Sequence, residues 1–194
     1  MNPLSPKAED ILTSARSLIL AGGYDGFSYA DISKVVGIRN ASIHHHFPSK
    51  ANLVRAMVAR HRENAEAGLA SLDRNVADPL ERLRAYVGYW ETCIAEGSVP
   101  FCVCALLASQ LPVLPASVAE EVRGYFRSLA TWLAGTLALC AEQRSVRLLG
   151  TAEVEADTFM AGIHGAMMSA RALGDSQVFG LISRQLLDRL VDRN

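Results

Sequence analysis

Ser28-Tyr29-Ala30-Asp31-Ile32-Ser33-Lys34-Val35-Val36-Gly37-Ile38-Arg39-Asn40-Ala41-Ser42-Ile43-His44-His45-His46-Phe47-Pro48-Ser49-Lys50 is the stretch whose reading decides the fold. Ser28, with Asp31 three residues on, forms a capping-box pattern; it predicts a helix opening there with Ile32, Val35 and Val36 turned inward. Gly37 supplies a left-handed turn, and Ile38 an apolar anchor just past it. A second helix of about seven residues, from Asn40 to His46, comes next, and Pro48-Ser49-Lys50 breaks and recaps the chain. A helix this short is not stable alone, so Ile43 and Phe47 must pin it to its neighbours. Two short helices joined by a glycine turn outline a helix-turn-helix, whose second helix enters the DNA major groove.

Upstream, Ser5 and Pro6 predict a helix start, with Glu9 and Asp10 suited to the positive end of its dipole. Ile11, Leu12, Ala15, Leu18 and Ile19 form one apolar stripe that Gly22-Gly23 ends. Tyr24 and Phe27 follow in the connection. Downstream, a helix from Lys50 to about Leu72 turns Leu53, Met57 and Val58 inward and is long enough to link a front module to a rear one. Asp78-Pro79 starts the next helix, through Leu80, Leu83, Tyr86, Val87, Trp90 and Ile94 to Gly97. Pro100 and Pro112 bracket a short apolar helix, Phe101 to about Leu111. Ser117 with Glu120 repeats the capping-box pattern before a long helix to about Gln143. Thr151 and Asp175 can cap the last two helices.

The expected class is therefore all-α, with about nine helices. The sequence has 194 residues, half of them hydrophobic, which is enough for a substantial core and excludes a disordered chain. Its net charge of -1 hides an asymmetry. Residues 1–60 carry Lys7, Arg16, Lys34, Arg39, Lys50, Arg55 and Arg60 against Glu9, Asp10, Asp25 and Asp31, whereas acids outnumber bases in the remainder. A basic front suits phosphates, and an acidic rear does not. The organisation expected is a DNA-binding domain over residues 1–50 and an effector-binding and dimerisation domain over 51–194. The start of the chain shows no basic segment ahead of an apolar stretch, and no apolar run reaches about 18 residues. A cytoplasmic protein with no membrane span and with reduced thiols at Cys93, Cys102, Cys104 and Cys140 is expected.

From Gly37 to Lys50, with Leu53 beyond, the sequence resembles the TetR family of bacterial transcriptional regulators, and the match extends over residues 5–60. The resemblance implies a homodimer, each subunit having three N-terminal DNA-binding helices and a larger helical domain that binds an effector and dimerises through its last two helices. It further implies that Asn40, Ala41, Ser42 and His45 face bases or sugars, and that His44 stands where a phosphate-contacting tyrosine is usual. Lys50 would meet a phosphate, and Ser28 and Tyr29 would open a helix whose N-terminus meets the backbone. Arg39 departs from the family pattern of a small cap. Either Asn40 caps instead or the helix begins less firmly, while the guanidinium gains a phosphate or a guanine edge. Two short helices make few contacts, so a dimer on a near-palindromic double-stranded operator, with recognition helices about 34–36 Å apart, is the expected geometry. Val178, Phe179, Leu181, Ile182, Leu186, Leu187, Leu190 and Val191 cover more than one face of the last helix, which suits burial against a second subunit.

Neighbours on a helix are about 100° apart, so His44, His45 and His46 cannot converge on one ion, and no metal or cofactor is expected. Cys102 and Cys104 are too close in sequence for a simple helical disulfide or zinc site. Both read as small buried hydrophobes, or Cys102 reads as a sensing thiol. The segment Ser98 to Gln110 is similar to one found in TetR regulators that detect electrophiles or oxidants, although Phe101 and Gln110 depart from that pattern. Otherwise the signal is a small molecule in a pocket lined by Trp90, Phe101, Leu106, Phe126, Trp132, Met160, His164 and Met167. No nucleophile elbow, phosphate loop or paired catalytic carboxylates are present, so an enzyme is not expected. The alternative from a different class is a cysteine-dependent redox or thiol enzyme using Cys102 with His164 and binding no DNA. The mechanism expected is repression by occupancy: effector binding or thiol modification moves the helix that Lys50 begins. Activation is the alternative sign.

Overall fold

Ser5 accepts the Ala8 backbone N–H at 3.2 Å and opens the first helix, α1 (Pro6–Gly22), with proline at its first position. The computed structural model describes residues 5–191; Met1–Leu4, read above for a leader, lie outside them. Among the described residues the fold is all-α: α1 is followed by α2 (Tyr29–Val36), α3 (Asn40–His46), α4 (Lys50–Asn75), α5 (Pro79–Ala95), α6 (Val103–Ala108), α7 (Ala116–Glu142), α8 (Ala152–Leu173) and α9 (Gln177–Leu190). An antiparallel bridge joins Val146 and Val191.

These elements divide into two compact units, and the division falls inside α4 and inside α7. The first takes the chain up to Asn64 together with Val103–Tyr125. Its core is Ile11, Leu12, Ala15 and Ile19 of α1, Ile32 of α2, Ile43 of α3 and the start of α4 through Leu53, Val54, Met57 and Val58. α6 packs against α1, burying Val103, Cys104 and Leu107. Glu121 of α7 pairs with Arg62 at 3.2 Å and faces Arg55 at 3.9 Å on α4.

The second unit takes Ala65–Cys102 and the chain from Phe126 onward. Asp78 caps α5 through the Leu80 amide at 2.9 Å, and Thr151 caps α8 through the Val154 amide at 3.4 Å. α8 and α9 pack closely: a Cβ on Gly162 would sit 2.7 Å from the end of the Leu186 side chain, which would have to turn aside. Gly174, with φ of 63°, turns the chain between them.

Several local expectations change. Val35 is 65% exposed, because Ile32 and Val36 share one face of an eight-residue helix and Val35 lies about 100° round from Val36. The short helix is only Val103–Ala108, and Leu111–Val113 forms a 3-10 turn around Pro112, which has no N–H to continue an α ladder. α7 starts before Ser117: the Pro115 carbonyl accepts from Val118 and Ala119 at 2.9 and 3.0 Å, which leaves Ser117 in the first turn rather than capping it. Ser176 rather than Asp175 precedes α9, although the Asp175 carboxylate still accepts the Gln177 amide at 2.9 Å.

Candidate nucleic-acid interface

The helix-turn-helix is built by local bonds that the sequence specifies. Ser28 and Asp31 exchange bonds in a reciprocal capping box, the Asp31 carboxylate accepting the Ser28 N–H at 2.8 Å. Those bonds to Ser28 hold the Asp31 pKa below its ordinary value. Gly37 has φ of 70° and ψ of 36°, the left-handed region that a side chain resists. The Ser33 hydroxyl donates to the Ile38 carbonyl across this turn.

α3 is held from behind and open in front. Ile43 is fully buried and Phe47 nearly so, whereas Arg39, Asn40, Ala41, Ser42, His44 and His45 are exposed. Arg39 takes the N-cap position and makes no cap bond with its side chain, so Asn40 is the first helical residue and caps nothing. The helix therefore begins without a side-chain cap, as one of the two alternatives required, and the guanidinium stays exposed.

Tyr29 joins the two short helices. Its hydroxyl donates to the Phe47 carbonyl at 2.8 Å, and its ring lies 4.6 Å from that of His44. Burial, with Tyr24 adding to it, raises the Tyr29 pKa to about 12, so the hydroxyl remains a donor across the working pH range. His44 Nδ1 lies 3.3 Å from the Pro48 carbonyl. A carbonyl only accepts, so this contact places the hydrogen on Nδ1 and turns Nε2 outward. Lys50 is half-buried over the turn after α1: its Nζ donates to the Phe27 carbonyl at 2.6 Å and stands 4.4 Å from the Phe27 ring and 5.0 Å from that of Tyr24. Desolvation lowers its pKa from the usual lysine value, opposed by Asp25 and Asp31. Tyr29→Phe is expected to lower the local stability of α3 by about 1 kcal/mol, the value of one part-buried hydrogen bond. Faster amide exchange over residues 40–47 with an unchanged second unit is the readout.

The chain is similar to known regulators. The family model described as bacterial regulatory proteins, tetR family, covers residues 11–57. A transcriptional regulator of that family from Agrobacterium tumefaciens is 60% identical and superposes with a TM-score of 0.93, over 96% of this chain and 98% of that one. The chain belongs to the TetR family. An uncharacterized HTH-type transcriptional regulator of Bacillus subtilis, YvkB, is 24% identical over 95% of this chain and 93% of its own length. The HTH-type transcriptional activator FasR of Mycolicibacterium smegmatis is 28% identical over 44% of this chain and 39% of its own length. As a TetR-family protein, the chain is a DNA-binding transcriptional regulator, and the family consists of regulators rather than enzymes.

The residues read as an effector wall are divided between the units, since Leu106 lies on α6 in the first and the others lie in the second. There, Trp90, Phe101, Cys102 and Met167 are buried, and Phe126, Trp132, Met160 and His164 are half-buried. The structure brings Phe126 and His164 together, with ring centroids 5.2 Å apart. Trp132 donates its indole N–H to Asp73 at 3.1 Å and packs 5.9 Å from Tyr86. The Arg171 guanidinium lies 5.3 Å from the Phe101 ring centroid. His164 Nε2 and the Tyr86 hydroxyl are buried with no hydrogen-bond partner among the described residues. Tyr86 reads in the sequence as a core position only; its one signal is a polar atom on an apolar stripe. Burial first, and the neighbouring Cys102 second, raise its pKa. Cys102 immediately precedes α6 and has no exposed surface. Among the described residues no group of three or more His, Cys, Asp or Glu is placed to hold a metal ion, and no helix is long and apolar enough to cross a membrane.

Proposed function

We propose that this TetR-family regulator is a cytoplasmic homodimeric repressor that binds a near-palindromic operator through α3 and leaves it when a small molecule enters the second unit. The observation that carries the reading is the open row Arg39, Asn40, Ala41, Ser42 and His45 on a helix whose only buried residue is Ile43. Asn40, Ala41, Ser42 and His45 supply base choice, since short polar side chains and a methyl group are what major-groove edges recognise. Ser28 and Tyr29 bring the start of α2 to the DNA backbone. His44 is assigned a backbone phosphate, at the position where the family usually has a tyrosine. Lys50, with one donor spent on Phe27, has two left for the backbone.

The rear of the molecule supplies the effector site and the partner surface, so the DNA-binding domain is assigned to residues 1–50 and the effector-binding and dimerisation domain to 51–194. Two buried polar atoms without partners, on Tyr86 and His164, favour an effector that carries hydrogen-bonding groups on an aromatic or apolar body. Trp90, Phe101, Phe126, Trp132, Met160 and Met167, all of the second unit, would pack that body. A buried thiol in apolar surroundings is poorly reactive, so oxidants or electrophiles reach Cys102 only when the unit opens. The same burial disfavours a thiol enzyme built on Cys102 and His164. Dimerisation uses the exposed stripe of α8, Val154, Thr158, Ala161, Gly165, Met168 and Ala172, with Leu181 of α9 beside it.

Selection of bound duplexes from random DNA tests the operator reading, and release is then scored against small molecules, oxidants and electrophiles. A two-fold-related site with half-sites about one helical turn apart is expected, and selection of unrelated sequences would sink the reading. Arg39→Ala should weaken every duplex alike and reduce the salt slope by about one, as for a phosphate anchor. Relaxed choice at a single base pair would instead make Arg39 a reader of guanine.

A further inference from the structure

Gln110 follows α6 and returns its side chain to the turn that ends α1. Its Oε1 accepts the Tyr24 backbone N–H at 2.9 Å, a bond between residues 86 apart in sequence. The same amide lies over Gly23, where φ is 76° and any Cβ would collide with it. The turn so held is also the seat of Lys50, whose ammonium rests against the Tyr24 and Phe27 rings and bonds the Phe27 carbonyl. Two residues further on, Tyr29 bonds Phe47 and packs on His44. A series of contacts therefore runs within the first unit from the end of α6, through the turn after α1, to the C-terminal end of α3.

The place of α6 in the chain gives this series a use. Cys102, the last residue of that segment of the second unit, is followed directly by Val103, the first of α6. α6 is therefore the first element of the first unit met along the chain after Cys102. α6 has six residues and no basic or acidic residue in its end turns, and Gln110 is the polar side chain just beyond it that bonds the turn after α1.

We propose that Gln110 is the positioning residue that couples α6 to the recognition helix. Its bond to the Tyr24 amide passes shifts of α6 to the turn carrying Lys50 and Tyr29, and passes operator occupancy back to α6. This deepens the reading above and rests on it for the origin of the signal. Coupling of this kind is reciprocal, so it can be measured from the DNA side without knowing the effector.

The experiment follows amide hydrogen exchange over residues 103–108 in the full-length protein, with and without a saturating duplex recovered by selection. Bound duplex is expected to change exchange in α6 by about fivefold or more in the wild type. Gln110→Met keeps length and bulk but has no acceptor for Tyr24, and should lose that response while its helix content stays at the wild-type level. Gln110→Glu keeps an acceptor and should retain it. Gln110→Ala provides a second loss of the acceptor and must behave as the methionine variant. An α6 that ignores DNA in the wild type, or that responds equally in the methionine and alanine variants, overturns the proposal. Failure of the operator reading would show separately, as wild-type protein binding all duplexes alike, and the coupling is then still read on the duplex that is bound.

Discussion

Ile43→Ala is expected to cost the protein its operator binding while leaving the second unit folded. α3 has seven residues, no side-chain cap at Arg39 and no acid in its first turn, so almost nothing within the helix holds it in shape. Its order comes from outside: from Ile43, which has no exposed surface, from Phe47, and from the Tyr29 hydroxyl on the Phe47 carbonyl. Truncating a buried isoleucine costs about 3 kcal/mol through lost transfer energy and a residual cavity. Spent locally, that leaves the ordered helix a minor population. Apparent affinity falls with the fraction of competent molecules, which at about 3 kcal/mol is a loss of at most roughly 100-fold, less by whatever local stability α3 has to spare. Fluorescence anisotropy with a selected duplex measures the loss, and amide exchange places the disorder in residues 40–47. Val35→Ala is the control. With Val35 65% exposed, its truncation should change stability by less than about 0.5 kcal/mol, whereas a reading of α2 from periodicity alone would have it cost as much as a core residue. Wild-type operator affinity in Ile43→Ala would mean that α3 does not need its inner face.

The contrast between Ile43 and Val35 shows where the sequence is legible. The capping box at Ser28, the left-handed Gly37 and the caps at Ser5, Asp78 and Thr151 act within three residues of themselves, so residue types alone specify them. Periodicity marks the buried faces of long helices well, because several turns agree on one direction. An eight-residue helix has two turns, and Val35 cannot be told from Val36 by spacing. Ser117 failed as a cap for a related reason: Ser-x-x-Glu is satisfied equally by residues inside the first turn, and the Pro115 carbonyl made the decision.

Long-range choices are harder still. Nothing in the composition of residues 103–125 says that they join the unit of the first 64 residues, since that depends on α6 reaching α1 and on Glu121 reaching Arg55 and Arg62. Lys50 illustrates the same limit at a functional position. Its charge and its place before Leu53 point to phosphate, and only the fold shows the ammonium seated on Phe27 and Tyr24. Gln110 carries no sequence signal for its role, because any exposed glutamine after a helix looks alike until its acceptor meets an amide 86 residues away.

Met168→Glu is expected to produce a monomer that binds the operator about 100-fold more weakly than wild type, because a linked pair of weak sites loses the gain of simultaneous engagement. Little of α9 is left to bury. Phe179, Leu187 and Leu190 are already inside the subunit, and Leu181 is the large apolar residue of that helix left exposed. The proposed partner surface therefore lies mainly on α8. There, Met168 is 57% exposed, one turn from Gly165 and Ala172, whose small side chains let another helix approach closely. A carboxylate at the centre of that contact would be buried without a partner, a cost of several kcal/mol in each subunit and doubled by two-fold symmetry. Light scattering should report half the wild-type mass, and the slope of log affinity against log salt should fall by about half, since each monomer neutralises one half-site of phosphates. Tyr89→Glu, at an exposed aromatic on α5, serves as the matched control and should remain dimeric with wild-type affinity. A monomer of Met168→Glu that keeps its helix content but loses the concentration dependence of its thermal midpoint would locate the interface on α8. A Met168→Glu protein that stays dimeric on full-affinity operator would move the interface elsewhere, and the stripe from Val154 to Ala172 would then need another occupant.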